Sequence, residues 1–496
     1  MSARRPASEC SRRGARLGAA VAALVLSGCT VGPDFVRPAP PADVHRYTAG
    51  RLALEDESAP DELAQRVRMG EGPGREWWRL FGSSELDALV ERALEANRTL
   101  AAAEANLGEA RELAAAEAGA LSPQVAMTAG AGRQKYGVEL LGTFPKPPPF
   151  TYFAVGPTVS YALDYVGGTK RAVEREDALA RYREREAEAA YLAVTGNATV
   201  LALRIASLRE QIATVEALLG QDRENVKLVR LAFEAGTVSR LDVVAAASQL
   251  ATDATLLPPL RQDLAVARHA LAVVAGVAPG NAALPVPELD RVRLPATLPV
   301  SVPSELVHRR PDILAAEEQL HAATAAVGVA EANLYPRITL TGSVAQESID
   351  LAHLFDREST AWGATGSLVA PLLDGGTLRA QKRAAVEAMR SKLASYEQTV
   401  LAAFDQVADA LEALDHDAEE LRAQASARET ARTNADLTRK SYAEGNVGVL
   451  QVLDAQRTYR RAELGYVRAK GERYLDTARL FLALGGGGPP GGAPAR

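Results

Sequence analysis

Two kinds of hydrophobic spacing take turns along this chain. From Leu86 to about Gly119 the apolar positions follow a helical period, and Pro123 ends the run. Strict alternation follows, with Val125, Met127, Ala129 and Ala131 on one parity and Gln124, Ala126, Thr128 and Gly130 on the other. After Pro147-Pro148-Pro149, Phe153, Val155, Val159, Tyr161 and Leu163 alternate against Ala154, Gly156, Thr158, Ser160 and Ala162. Farther on, Ile338, Leu340, Gly342 and Val344 oppose Arg337, Thr339, Thr341 and Ser343, while Trp362, Ala364, Leu368 and Leu372 oppose Gly363, Thr365 and Ser367. A period of two predicts strands, here at about 123–133, 152–164, 336–347 and 361–372. Pro123, Pro157, Pro336 and Pro371 are expected near the strand–helix junctions.

Beyond Gly167-Gly168 the spacing becomes helical again. Tyr191, Val194, Ala198, Leu201, Ile205, Leu208, Ile212, Val215 and Leu219 recur by threes and fours, and Val226, Val229 and Phe233 continue the register. This is a heptad seam, repeated by Phe404, Val407, Leu411, Leu414, Ala418, Leu421 and Ala425. The first such helix, Thr169 to Glu234, would reach ~100 Å at 1.5 Å per residue. Turns at Gly236 and Gly445 send the chain back through Leu241–Ala275 and Leu450–Leu484.

The chain is written twice. "AAAEANL" from Ala101 matches "LAAEEQL" from Leu314, and "LSPQV" from Leu121 matches "LYPRI" from Leu334, both at an offset of 213. The Gly-Gly-Thr motifs at 167–169 and 375–377 are 208 apart, and "EAGTVSRLDVV" matches "AEGNVGVLQVL" at 209. Four motifs in one order with one net insertion mark an internal repeat. The resulting division is 1–28, an export signal; 29–75, a lipidated linker; 76–276, the first repeat; 277–302, a Pro-rich linker; 303–484, the second repeat; and 485–496, a Gly/Pro-rich tail expected to be disordered.

Strands of about ten residues, apolar on one face and small or polar on the other, suit a transmembrane barrel. Four such strands cannot stand alone in hydrocarbon, because each unpaired edge group costs several kcal/mol, on the order of a lost hydrogen bond in lipid. Two chains would give eight strands and a filled interior. Three give twelve, which leaves a lumen. The fold class expected is therefore mainly α with a transmembrane β-barrel portion: two tandem repeats per chain, and a trimeric 12-stranded barrel continued by a long α-helical coiled-coil tunnel.

The N-terminus adds an address. Arg4, Arg5, Arg12, Arg13 and Arg16 precede the apolar run Leu17–Leu26, then Ser27, Gly28 and Cys29. Basic, apolar, then small is the order of a secretory signal. The run Leu26-Ser27-Gly28-Cys29 is similar to a bacterial lipobox, which makes Cys29 the expected lipidation site, a palmitate carrier. Thr30 in place of an Asp after it favours the outer membrane. The formal charge is −6, and removing the basic leader leaves the body more acidic, which argues against a nucleic-acid partner. Aromatics are only 5%, which suits long helices with close, small-residue contacts better than a thick mixed core. Trp77 and Trp78 are read as packing residues.

"WWRLFGSSELDALVERALEAN" (Trp77–Asn97), "HRRPDILAAEEQLHAATAAVGVAEANLYPRITLTGS" (His308–Ser343), the Gly-Gly-Thr strand exits and "VLDAQRTYRRAELGYVRAK" (Val452–Lys470) together resemble the TolC-type outer-membrane efflux factors, in their NodT-type lipoprotein branch. The resemblance covers nearly everything from Cys29 to about Leu484. It implies the outer-membrane component of an RND-type tripartite efflux pump: a homotrimer joined to a periplasmic adaptor and an inner-membrane pump, held in outer-membrane lipid, passing drugs, metals or other small solutes. It also implies a periplasmic constriction closed at rest, with Asp454 and Arg457 at the family's Asp-Ala-Gln-Arg position. Some members carry a second acid three residues earlier, where this chain has Gln451. Three copies of Asp454 about a threefold axis would repel one another and attract cations. Asp242 is either part of the gate or, in Ser239-Arg240-Leu241-Asp242, a capping box.

No catalytic inventory accompanies this. The six His are scattered, no HExxH, GxSxG or Cys/His cluster occurs, and Gly-Gly-Thr-Lys at 167–170 lacks phosphate-loop spacing. No enzyme activity, cofactor or metal is expected. Two other readings stay open at this stage: the exit duct of a protein secretion system, which would share the fold, and a lipid-anchored periplasmic coiled-coil adaptor, which would need one hairpin flanked by compact β-domains.

Overall fold

The computed structural model describes residues 30–39, 46–48, 50, 64–70, 72–135, 148–281 and 284–486. The export signal, Cys29 and the tail from 487 lie outside the described residues. Among the described residues there are six strands: β1 (Arg66–Gly70), β2 (Gln124–Gln134), β3 (Phe150–Leu163), β4 (Thr297–Ser301), β5 (Arg337–Ser348) and β6 (Thr360–Val369). The principal helices are α1 (Ser84–Ala96), α2 (Arg98–Gly119), α3 (Gly168–Glu234), α4 (Arg240–Ala254), α5 (Leu257–Val274), α6 (Pro311–Ala332), α7 (Thr377–Ala443) and α8 (Val449–Ala483). The chain separates into two units, the first drawn from Met1–Arg37, Leu107–Arg183 and Ala316–Tyr396, the second from the remainder.

The first unit holds a four-stranded antiparallel sheet in the order β2-β3-β5-β6, so β2 and β6 are its edges. Register explains its two faces. Val125 lies opposite Val159, which lies opposite Gly342, then Ala364; Leu163 lies opposite Ile338, then Leu368; and Val344 faces Trp362. Residues directly opposite share a face, so these rows form one apolar surface. The other surface carries Gln124, Ser160, Thr341 and Thr365 in one row and Ala162, Thr339 and Ser367 in another. Within one chain the apolar surface is bare: Met127 is 73% exposed and Trp362 79%.

One proline reading needs correction, and one strand ends earlier than expected. Pro157 sits in the middle of β3, not at a junction, and the β3–β5 ladder skips from Val155↔Gln346 to Thr158↔Ser343 around it. A proline has no N–H to give, and Gly156 lies so close to the Val344 carbonyl that a Cβ there would meet it at 2.1 Å. The strand expected to reach 372 stops at Val369, because Pro371 cannot donate and Asp374 is already engaged in capping α7 through the backbone N–H of Gly376 and Leu378. Leu372 and Leu373 are left almost fully exposed.

The second unit is helical. Trp77 and Trp78 are 1% exposed; Trp77 packs on Phe481 and Trp78 on Tyr191, with ring centroids 5.7 and 6.4 Å apart. α8 packs against both long helices. Gly471 admits Ser207 of α3 so closely that a Cβ would fall 2.0 Å from its Oγ, and Arg473 donates to the Leu414 carbonyl of α7. Lys470 reaches Glu210 of α3 at 3.3 Å and Asp290 at 2.7 Å.

The two linkers prove to be structured in part. β1 and β4 form a parallel pair from Arg66↔Thr297 to Gly70↔Ser301, with Leu298 and Val300 fully buried. Gln65 donates to the Pro295 carbonyl and to Thr477 of α8, each at 3.0 Å. Five-residue strands among prolines give too short an alternation to read in sequence. The first return segment, expected as one helix from Leu241 to Ala275, is two. Pro258 and Pro259 occupy the first turn of α5, where a missing N–H costs nothing, and the chain breaks just before them.

Candidate functional site

The turns at Gly236 and Gly445 both have positive φ, 74° and 79°, a conformation glycine adopts without strain. Just beyond them α4 and α8 start differently. α4 opens with a capping box: Ser239 Oγ accepts from the Asp242 N–H, and Asp242 accepts from the Ser239 N–H at 2.8 Å. The Ser239 hydroxyl and N–H hold the Asp242 carboxyl below its usual range. α8 has Gly448 at its cap with no side-chain acceptor, and the Gln451 side chain folds back over that glycine.

One turn in from these ends, α3, α4 and α8 meet around a polar cluster. Arg457 Nη2 donates to Asp454 Oδ1 at 2.7 Å within α8; Asp454 is exposed and Arg457 half-buried. Arg457 and Asp454 line, with Asp222, Asn225, Asp242 and Gln249, a groove of about 240 Å³. Deeper lie two aspartates that the sequence reading did not single out. Asp253 of α4 is 1% exposed and accepts from Arg461 Nη2 of α8 at 2.6 Å and from Gln249 at 2.8 Å. Burial alone would raise its carboxyl, but these two donors hold it below the ordinary value. Asp222 of α3 is 3% exposed, and its Oδ2 has no hydrogen-bond partner among the described residues. Burial first, then the neighbouring Asp253 carboxylate, push the Asp222 carboxyl up to about 6, against the pull of Arg457 and Arg461. Buried like charges of this kind cannot both ionise cheaply.

The cluster ties the second repeat's return helix to both helices of the first repeat's hairpin. Arg457 stands between an exposed carboxylate, Asp454, which it bonds, and a buried one, Asp222, whose field it feels. The sequence did carry a signal for Asp222. The buried stripe of α3 runs Val215, Leu218, Leu219, Asp222, Asn225 and Val229, so two polar residues stand where a heptad wants apolar ones. The expected seam took Val226 instead, which is half-buried, and ran on to Phe233, which is 42% exposed.

A second acidic pair lies between α7 and α8. Burial and the Asp476 carboxylate push Asp417 up to about 7 beside Arg473, which is 1% exposed. Among the described residues no group of His, Cys, Asp and Glu is arranged to hold a metal. The helix α3 is long and apolar enough in one window to pass for a membrane span, but half of that window is buried against protein.

Comparison with known proteins gives a coherent picture. The sequence profile of the family described as "Outer membrane efflux protein" matches residues 89–277 and 302–486. The chain is 31% identical over 417 residues to the pyoverdine export outer membrane protein OpmQ of Pseudomonas aeruginosa, covering 83% of this chain and 87% of that one. It is 29% identical to the outer membrane protein OprJ of the same organism, covering 95% of each. Among solved structures, the outer-membrane channel OprN superposes with a TM-score of 0.81 at 30% identity, over 92% of this chain and 99% of the other.

Proposed function

We propose, from the premise that this chain belongs to the outer membrane efflux protein family, that three copies close their open sheets into one barrel and form the exit duct of a tripartite pump. The chain is an outer-membrane channel subunit of an efflux system. The observation that carries the trimer is the four-stranded sheet itself, with two unpaired edges and an exposed apolar face. β2 and β6 run in opposite directions, so β6 of one copy pairs antiparallel with β2 of the next. Twelve strands then remove every edge from the hydrocarbon and leave a lumen. The apolar rows of Val125, Val159, Leu340 and Trp362 face acyl chains, and the rows of Ser, Thr and Gly face the bore.

Cys29 carries the lipid in this reading. Thr30 and Val31, which follow it in the chain, are fixed beside the β3–α3 junction, with the Val31 N–H donating to the Val166 carbonyl at 3.0 Å. The solute is handed over by an inner-membrane pump through a periplasmic adaptor, and the duct itself performs no reaction. Asp454 and Arg457 pair within α8 at the proposed gate, and the Arg461–Asp253 bond behind them fastens α8 to α4.

Planar-bilayer recording on purified protein tests both parts. Wild type is expected as a heat-modifiable trimer with small, cation-selective conductance. Asp454→Asn with Arg457→Ala is expected to raise the conductance and weaken the preference for cations. An unchanged trace removes the gate assignment, while a detergent-stable monomer removes the barrel. Loss of palmitate labelling in Cys29→Ser checks the anchor.

A further inference from the structure

The described N-terminal segment, Thr30 to Arg37, is strapped across the first unit by a chain of polar and aromatic contacts. Gly32, at φ 91°, lies against Gly328 of α6, where a Cβ would be 2.4 Å from the Gly328 Cα. Arg171 of α3 is nearly buried and donates to the Val31 carbonyl at 3.1 Å and to Asp34 at 2.6 Å. Arg37 reaches Glu317 of α6 at 2.6 Å. Between these ends, the ring of Phe35 stacks on His321 of α6, with centroids 4.2 Å apart and planes 9° from parallel.

His321 is a titrating group on which a ring of the strap lies face to face. We propose that it is a proton-operated clasp: the charged ring holds the strap against α3 and α6, and the neutral ring releases it.

The geometry around the ring supplies both states. Nε2 is 3.0 Å from Glu174 Oε1 of α3, a hydrogen bond available to either state. Nδ1 faces two groups, Arg181 Nη2 of α3 at 3.1 Å and Glu318 Oε2 of α6 at 3.7 Å. A neutral ring with its proton on Nε2 accepts from Arg181 through the Nδ1 lone pair. A proton arriving at Nδ1 from solvent cancels that bond. Nδ1–H then turns to Glu318, and Arg181 keeps its own Nε bond to Glu318 at 2.9 Å. The imidazolium is held between two carboxylates while its face lies on Phe35, which converts an ordinary stack into a cation–π contact. Arg171, bound to Glu174 at 2.7 Å and to Asp34, and Arg37, bound to Glu317, complete the charged groups around the strap.

The balance of these groups favours the charged ring. The Glu318 hydrogen bond and that of Glu174 raise the His321 pKa above its ordinary 6.5, against burial and the Arg181 charge. A raised histidine contributes its full stabilisation below the unfolded pKa and loses it as pH climbs through the folded one. The strap is therefore tighter at low pH and loosens as pH rises through the raised value. The clasp rests on and deepens the reading of a lipid-anchored channel, since the strap begins at the residue that follows Cys29 in sequence.

Hydrogen exchange of the peptide spanning residues 30–37 tests it, on full-length protein in detergent at pH 6.0 and 8.5 and corrected for intrinsic exchange rates. Wild type is expected to lose protection of this segment at the higher pH. His321→Gln is expected to show the same low protection at both pH values. Glu318→Gln, which keeps the ring, moves the loss to lower pH. Equal protection of wild type at both pH values, or a pH dependence that survives in His321→Gln, overturns the clasp. The contacts lie within one chain, so a failure to trimerise sinks the channel reading and leaves this measurement readable.

Discussion

The two helical hairpins of this molecule are copies of one another that solve the same packing problem with different buried chemistry. Their long arms, α3 and α7, are each 67 residues. The return arm of the second copy is a single helix of 35 residues, whereas that of the first is split into helices of 15 and 18. At the offset of 209 that relates the two hairpin turns, Pro258 corresponds to Val467, which is buried, so the break is local to the first copy. The acidic pairs diverge in the same manner. Asp222 and Asp253 correspond to Ala431 and Ala462, while Asp417 and Asp476 correspond to Leu208 and Ala267. Each hairpin holds a carboxyl pair, and neither is inherited from the common template. A repeat conserves where apolar side chains must point. It leaves each copy free to place charges where its neighbours differ.

The sharpest way to break this comparison is at the helix crossing. Gly471→Leu drives a side chain into Ser207 and is expected to cost at least about 3 kcal/mol, or to prevent assembly. Gln262→Leu, the matching exposed position of the first copy, should change stability by less than about 0.5 kcal/mol. Thermal melting of the two variants side by side checks both. Equal losses would mean that the copies pack alike after all.

A smaller effect is expected from the carboxyl pairs. Both Asp222 and Asp417 have carboxyls raised by folding, so the folded chain keeps protons that the unfolded chain has released. The contribution of each raised carboxyl is therefore full in acid and is lost as pH rises through its folded value. The fall should be complete near pH 6 for the Asp222 pair and near pH 7 for the Asp417 pair. Allowing for water that reaches each site, the loss is about 1–2 kcal/mol per pair. Asp222→Asn should flatten the first step in hydrogen exchange of α3 while leaving the second in α7, and Asp417→Asn should do the reverse. A single step shared by both hairpins would show that they titrate as one.

Smallest is the difference between the helix caps. Ser239→Ala should cost about 1 kcal/mol by opening the capping box of α4. Gly448→Ser at the corresponding cap of α8 should alter stability by only a few tenths, about 0.3 kcal/mol, in the favourable direction. Limited proteolysis at the two turns separates them.

Much of this architecture was legible because it follows from period. The strands β2, β3 and β5 read directly as alternation, and the long helices as heptads ended by a glycine of positive φ. What stayed hidden depended on residues far apart in sequence. β1 and β4 are too short to announce themselves and exist because each finds the other. Asp253 looks like an ordinary surface acid in "QLATDATLL" until Arg461, 208 residues later, is laid on it. His321 reads as a lone histidine on an alanine-rich helix, and only Phe35, Glu174 and Arg181 give it work. The gate position was partly legible, through Asp454 and Arg457. The buried carboxylates behind it could be suspected only from polar interruptions in an apolar stripe.

The parallel pairing of β1 with β4 has a kinetic consequence. Its two partners are separated by more than two hundred residues, so β1 must wait for the whole first repeat to emerge before it has anything to bind. Contacts of such span close slowly, after local helices have already formed. The β1 segment is thus among the last pieces of the chain to settle.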